Sequence, residues 1–166
     1  MALTVSVAES SDYDFIRKGT LNASRKKHFG ILPHKPEQRD MMDASIYSLI
    51  MEHRFLDGLY AVPYVFWKQH SRIGFLVMTE LFPGEGGNEI HLAFVSQKHQ
   101  GKGYGSWMMD YILGTRQGQD IYARCAPASE QMYQMLLRRG FEYVRTTDYA
   151  YRILLRPGVV QPCILA

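Results

Sequence analysis

The chain reads as a mixed α/β protein, with a mostly antiparallel sheet and about four flanking helices, on three observations. Its apolar residues switch from helical spacing to alternation after Gly58 and return to helical spacing after Ser106. The elements so marked run strand, two helices, three strands, helix, strand, helix, two strands, an order that suits helices packed on a mostly antiparallel sheet. A run of alternating glycines, Gly101-Lys102-Gly103-Tyr104-Gly105, falls where a strand gives way to a helix.

Leu3 to Ala8 alternates weakly and is predicted as the first strand. Ser10 and Ser11 offer capping hydroxyls, and Asp12 and Asp14 suit the positive end of a helix expected to run to about Lys27. His28 to Lys35, with Gly30 and Pro33, is predicted as a loop. Pro36-Glu37 opens a second helix, with Met42, Ile46, Leu49, Ile50 and His53 on one stripe and Gly58 at its end. Tyr60 to Lys68 and Arg72 to Leu81 alternate as strands. The turn Pro83 to Gly87 leads into a third, Asn88 to Val95. Ser106 to Arg116 is predicted helical, with Met108, Tyr111 and Ile112 inward and Trp107 beside them. A strand around Ile121 to Cys125 follows, then a helix from Ser129-Glu130 closed by Gly140. Phe141 to Thr147 and Tyr149 to Arg156 complete the sheet.

At 166 residues the chain suits one domain over residues 1–166, with 157–166 as a tail. Hydrophobic residues at 46% and charged residues at 21% match a globular protein, and no apolar run approaches the ~20 residues that span a bilayer. Met1 to Ser10 lacks the features of a secretory signal, and Cys125 and Cys163 have neither disulfide-framework nor metal-ligand spacing. A cytoplasmic protein without a metal is expected. The net charge of +3, with small clusters at Arg25-Lys26-Lys27-His28 and Arg138-Arg139, gives nucleic acid no support as a partner.

The glycine run carries the chemistry. Alternating glycines turn the backbone tightly and present several N–H groups in one direction, and a helix N-terminus behind them favours an anion, naturally a pyrophosphate. Lys102 comes too early for a Walker A loop, and Ser106 takes the place of the third glycine of a dinucleotide fingerprint.

Gln100-Gly101-Lys102-Gly103-Tyr104-Gly105 is similar to the Gln/Arg-x-x-Gly-x-Gly/Ala signature of the GNAT (Gcn5-related N-acetyltransferase) family. Glu89 to Val95 resembles that family's fourth strand, separated by the usual spacer Ser96 to His99, and Gly140-Phe141 resembles the end of its fourth helix. The resemblance covers nearly the whole chain in element order and is sharpest from Glu89 to Arg116. It implies a GNAT-like fold and acetyl-CoA as cofactor. The backbone of Ala93, Phe94 and Val95 would pair with the pantetheine arm beside a splay in the sheet. The N–H groups from Gly101 to Ser106, including Tyr104, would hold the pyrophosphate, and Lys102 would either add its charge or point to solvent.

Acetyl transfer to an amine needs the amine neutral, whereas a lysine-like amine has a pKa near ~10.4, so a general base helps. The resemblance points to Glu89, and His91, two residues on, shares its strand face. The tyrosine that many relatives use to protonate the leaving thiolate is replaced by Leu136. Tyr133, about one turn earlier, is a substitute acid or a core aromatic. A thiol of pKa near ~8.5 also leaves unaided. Ser129 stands where relatives often carry an asparagine that contacts the cofactor arm; as a helix cap alone it would make no such contact. Cys125 reads as core. The acceptor side would draw on His28, Phe29, His34, Tyr60, Tyr64, Phe66 and Trp67. The expected activity is N-acetylation of a primary amine on a small molecule, a peptide N-terminus or a protein lysine, with a non-catalytic acyl-CoA-binding module as the alternative. The tail covers an edge strand, pairs with a second subunit in a homodimer, or is mobile.

Overall fold

The computed structural model describes residues 2–30, 34–80 and 87–158. Seven strands form one sheet: β1 (Leu3–Val7), β2 (Ala61–Lys68), β3 (Ser71–Glu80), β4 (Gly87–Val95), β5 (Asp120–Cys125), β6 (Glu142–Thr146) and β7 (Arg152–Arg156). Their spatial order is β1-β2-β3-β4-β5-β7-β6, antiparallel except where β4 and β5 run side by side. The helices are α1 (Tyr13–Arg25), α2 (Pro36–Glu52), α3 (Tyr104–Thr115) and α4 (Glu130–Leu137). The parallel β4–β5 pair requires a crossover, which α3 supplies. The mixed, mostly antiparallel sheet with four helices is the predicted fold class and element order.

Alternation along the strands divides the core in two. Ile16 of α1 and Met42, Ile46, Leu49 and Ile50 of α2 pack on one face, against Val65, Phe75 and Val77. Met108, Met109, Ile112 and Leu113 of α3 and Leu136 of α4 pack on the other, against Phe66, Leu76, Met78 and Ile121.

Element ends depart from expectation for local reasons. Lys27 takes a left-handed conformation, so α1 stops at Arg25; the N–H of His28 bonds the Ala23 carbonyl and that of Lys27 the Ser24 carbonyl. Those two bonds form a Schellman cap without glycine, and they fix where the chain leaves the helix. His53 is likewise left-handed, ending α2 before Gly58 and removing His53 from the helical stripe. Gly140 at φ +82° does what the sequence predicts, with Phe141 N–H donating to the Leu136 carbonyl. α3 begins at Tyr104 rather than Ser106, and Tyr111 is 41% exposed while Met109 and Leu113 take the inward positions. A short 3-10 turn, Gln97–His99, occupies the spacer before the glycine loop. Most of the turn at Pro83 to Gly87, residue Leu81, Pro33 of the first loop and the tail from 159 onward lie outside the described residues.

One irregularity creates the site. The β3–β4 register runs Met78 to Ile90 and then Val77 to Leu92, so His91 is an extra residue on β4. A bulge of this kind bends its strand and switches the side-chain alternation. Ile90 therefore packs on the α3 side, whereas Leu92 and Phe94 pack on the α1/α2 side, leaving Ala93 and Val95 toward α3. The β4–β5 pairing ends at Ile90↔Ala123, so the two strands diverge from the bulge onward.

Candidate active site

The divergence opens a cleft of about 450 Å³, walled by β4, the glycine loop, β5 and the start of α4. Beyond Ile90 the β4 backbone pairs only with β3, through Ala93↔Leu76, Phe94↔Phe75 and Val95↔Gly74. Its opposite edge faces the cleft, and an unpaired edge in this setting can accept an extended amide-bearing chain as an added strand. Gly74 makes the packing behind that edge feasible: a Cβ there would lie 2.4 Å from the Phe94 carbonyl oxygen and 2.8 Å from Met108 Sδ.

At the end of β4 the side-chain amide of Gln100 donates to the Val95 carbonyl at 2.8 Å, tying the loop to the strand. Gly101 and Gly103 have φ of +72° and +82°, a region costly for other residues, and a Cβ on either would meet no atom within 4 Å. The loop is thus an open concavity shaped by backbone alone. Gly103 caps α3, with the first helical bond running from the Trp107 N–H to the Gly103 carbonyl. The N–H groups of Tyr104, Gly105 and Ser106 precede that bond and have no carbonyl one turn back to receive them, the arrangement that attracts an anion.

The charged neighbours of the loop are unequal in role. Lys102 Nζ donates to the Lys98 carbonyl at 2.9 Å, folded back along the loop. His99 Nδ1 shares a 2.8 Å hydrogen bond with Ser96 Oγ. Burial first, and then Lys98, Lys102 and Lys68, push the His99 pKa below its ordinary value, so the ring is neutral at pH 7.

Glu89 and His91 come together on the α1/α2 face, one residue before and one within the bulge. Glu89 is 4% exposed, and its Oε1 is buried without a hydrogen-bond partner among the described residues. His91 Nδ1 lies 3.7 Å from that oxygen and Arg124 Nε 3.5 Å from it. His91 and Arg124 stand in the cleft wall, with Glu89 directly behind them. The ring of Phe55, 4.9 Å from that of His91, closes the far side. A buried carboxylate oxygen without a hydrogen bond is costly, and at Oε1 the compensation comes from the two basic side chains within 4 Å.

Ser129 sits at the cap position of α4, but its hydroxyl makes no capping bond. It shares a 2.9 Å hydrogen bond with His28 Nδ1, so the chain leaving α1 meets the start of α4 at the cleft. Burial, with Lys26 second, lowers the His28 pKa. Tyr133 lies outside the cleft wall, its ring 3.8 Å beneath the Arg152 guanidinium and packed on the α3-side core, while Leu136 lines the cleft. Cys125 is in the wall but 2% exposed, and burial pushes its thiol to about 11, consistent with core. Of the residues expected on the acceptor side, His28 and Phe29 line the cleft. Phe66 is fully buried against Trp107, Tyr64 accepts from Arg116, and Trp67 bonds Ser6 at the β1 edge. β2 is separated from the cleft by β3 and β4, which is why its aromatics are elsewhere. Arg124 is the wall residue that sequence reading passed over: alternation marks it as polar, but only the β4–β5 pairing brings it to Glu89. Among the described residues, no cluster of His, Cys, Asp and Glu suits a metal ion, and no helix is long and apolar enough to cross a membrane.

Residues 25–141 match the family model described as the Acetyltransferase (GNAT) family. Comparison with curated proteins gave no match. Among solved structures, an acetyltransferase from Thermus thermophilus aligns with a TM-score of 0.72 at 16% identity, covering 95% of this chain and 97% of that one. Spermidine N-acetyltransferase from Vibrio cholerae, in complex with CoA and spermine, aligns with a TM-score of 0.71 at 16% identity over 92% of each chain. Histone acetyltransferase HPA2 and related acetyltransferase from Corynebacterium glutamicum aligns with a TM-score of 0.72 at 15% identity, over 98% of this chain and 99% of that one. These similarities concern the fold, and the cofactor of the family they share is acetyl-CoA. With the family model spanning most of its length, the chain belongs to the GNAT acetyltransferase family.

Proposed function

We propose that the chain is an N-acetyltransferase, one domain over residues 1–166, that moves an acetyl group from acetyl-CoA to a primary amine. The observation that carries this reading is the buried Oε1 of Glu89, ion-paired but without a hydrogen bond among the described residues, at the edge of a cleft that also holds a free strand edge and a glycine cradle. The residues suit the cofactor: Ala93, Phe94 and Val95 offer backbone groups to an amide-bearing arm. Gly101 to Ser106 offer N–H donors to a pyrophosphate, with Gln100 holding the loop on β4. Lys102 contributes charge from the loop's back. The His28–Ser129 bond holds the chain after α1 at the cleft.

Acetyl-CoA, when bound, supplies a thioester whose acetyl group forms an amide with the acceptor and releases the CoA thiol. Glu89 Oε1 takes the proton that the acceptor ammonium must lose, by way of one water because Glu89 stands behind the wall. His91 lines the wall beside it as the nearest alternative proton acceptor. Leu136, with Met132 and Met135, lines that part of the cleft and offers no proton donor, so the C–S bond breaks to give the CoA thiolate, which takes up the second proton that the attacking nitrogen loses as the amide forms. Tyr133 remains the candidate acid only if its ring moves out from under Arg152.

The test is release of free thiol from acetyl-CoA across a panel of small amines, peptides with free N-termini and lysine peptides, with mass spectrometry of the products. Acceptor-dependent thiol release with an acetylated product is expected. Tight acetyl-CoA binding with no thiol release from any acceptor would replace this reading with a non-catalytic acyl-CoA-binding module.

A further inference from the structure

We propose that the acceptor carries a carboxylate close to its amine, and that Arg124 binds it; this rests on the acetyl-transfer reading above. Among the described residues, the cleft wall holds the cations Lys26, Arg124 and Arg138, and no aspartate or glutamate. Lys26 and Arg138 suit the phosphates of a cofactor. Arg124 does not share that task, because its Nε is 3.5 Å from Glu89 Oε1 and marks the end where the amine must lose its proton. Its side chain is 48% exposed, and beyond the ion pair of its Nε with Glu89 it makes no hydrogen bond to another described residue. A guanidinium fork in that state is prepared for a carboxylate, which it binds through two parallel N–H donors.

A second basic residue extends the same face. Arg124 and Arg145 both pair in register with Ile153 of β7, one from each side, and Arg145 is exposed. Side chains in register share a face, so the β5-β7-β6 surface running away from Glu89 is lined by Arg124 and Arg145. A buried carboxylate, and beside it a guanidinium that meets it only through Nε, match an ammonium next to a carboxylate. A polyamine meets the opposite situation: one recessed carboxylate for its first amine and only cations for the rest, and like charges brought together are a specificity barrier.

The experiment compares α-amino acids with their own carboxamides and with spermidine, by thiol release at saturating acetyl-CoA. The carboxamide makes the amine less basic and so easier to deprotonate, and any preference for the acid therefore comes from recognition. Preference for the acids by about tenfold to a hundredfold in kcat/KM is expected, the range of a charge-assisted bidentate contact. In Arg124→Gln the acid-to-amide ratio is expected to fall close to one; taking the ratio within one variant cancels loss of folded protein. Equal use of acids and amides, better use of spermidine, or an unchanged ratio in Arg124→Gln would overturn the proposal while leaving acetyl transfer standing. If no amine at all releases thiol, acetyl transfer falls and this proposal falls with it.

Discussion

Single residues at this site differ in how openly the sequence declares them. Glu89 and the glycines stand where the family resemblance assigns candidates by spacing, and His91 follows only from strand alternation, two residues on from Glu89. The Ser129–His28 bond was not legible, since its partners are far apart in sequence and meet only when α1 and α4 are both placed. That bond has a pH signature. Burial, and then Lys26, lower the His28 pKa, and His99 is lowered in the same direction. As pH falls below the ordinary ~6.5 of an imidazole, the unfolded chain takes up protons that the folded chain resists, so stability is lost toward acid. A melting temperature that falls from pH 7.5 to pH 5.5, with a shallower fall in His28→Gln, is expected; parallel curves would remove His28 as a cause. Cys125 provides a second check at this scale. With its thiol pushed to about 11 and its side chain buried, it should resist alkylation at pH 8 in the native protein and react after denaturation. Peptide mapping of the alkylated protein reads this, and fast native labelling would contradict it.

At the scale of elements, the order of strands and helices followed from periodicity and turn residues, because those signals are local. The bulge at His91 could not be read in the same way: alternation continues through Glu89 to Val95 in sequence, and the extra residue exists only relative to β3. The start of α3 was two residues early for a related reason, since Gly103 caps the helix from a left-handed backbone with no side-chain signature. Gly103→Pro forces φ from +82° to about −65° and should lose at least about tenfold in acetyl-CoA affinity by calorimetry, with helix content unchanged by circular dichroism. Wild-type affinity in that variant would move the phosphate site away from the loop. Gly19 tests how tightly α1 meets the sheet. Alanine there gains about 1 kcal/mol of helix propensity, but its Cβ would stand 2.6 Å from Phe75 and 2.8 Å from Phe94, both aromatic and packed. Overpacking of that kind costs about 1–3 kcal/mol, so Gly19→Ala should unfold at lower denaturant despite its propensity.

For the whole molecule, one feature opens the cleft: β4 joins β3 along its length but leaves β5 after Ile90, and the residues proposed for the chemistry lie around that divergence. A ligand that binds there binds only the folded chain. At ~100 times its Kd, acetyl-CoA should add about 2.7 kcal/mol, or roughly 5–10 °C in melting temperature for a chain of this size. No shift would mean the cleft is not an acyl-CoA site. The element order and cofactor class were legible over the entire chain, whereas the acceptor was not, because its walls come from the ends of elements that long-range pairing alone brings together. The most direct measurement pairs acetyl-CoA binding with steady-state thiol release, in the wild type and in Glu89→Gln. Glu89→Gln should bind acetyl-CoA as the wild type does and release thiol about a hundredfold or more slower near neutral pH, the contribution of a general base. Equal turnover in the two proteins would contradict the assignment of Glu89 as the base on which acetyl transfer depends.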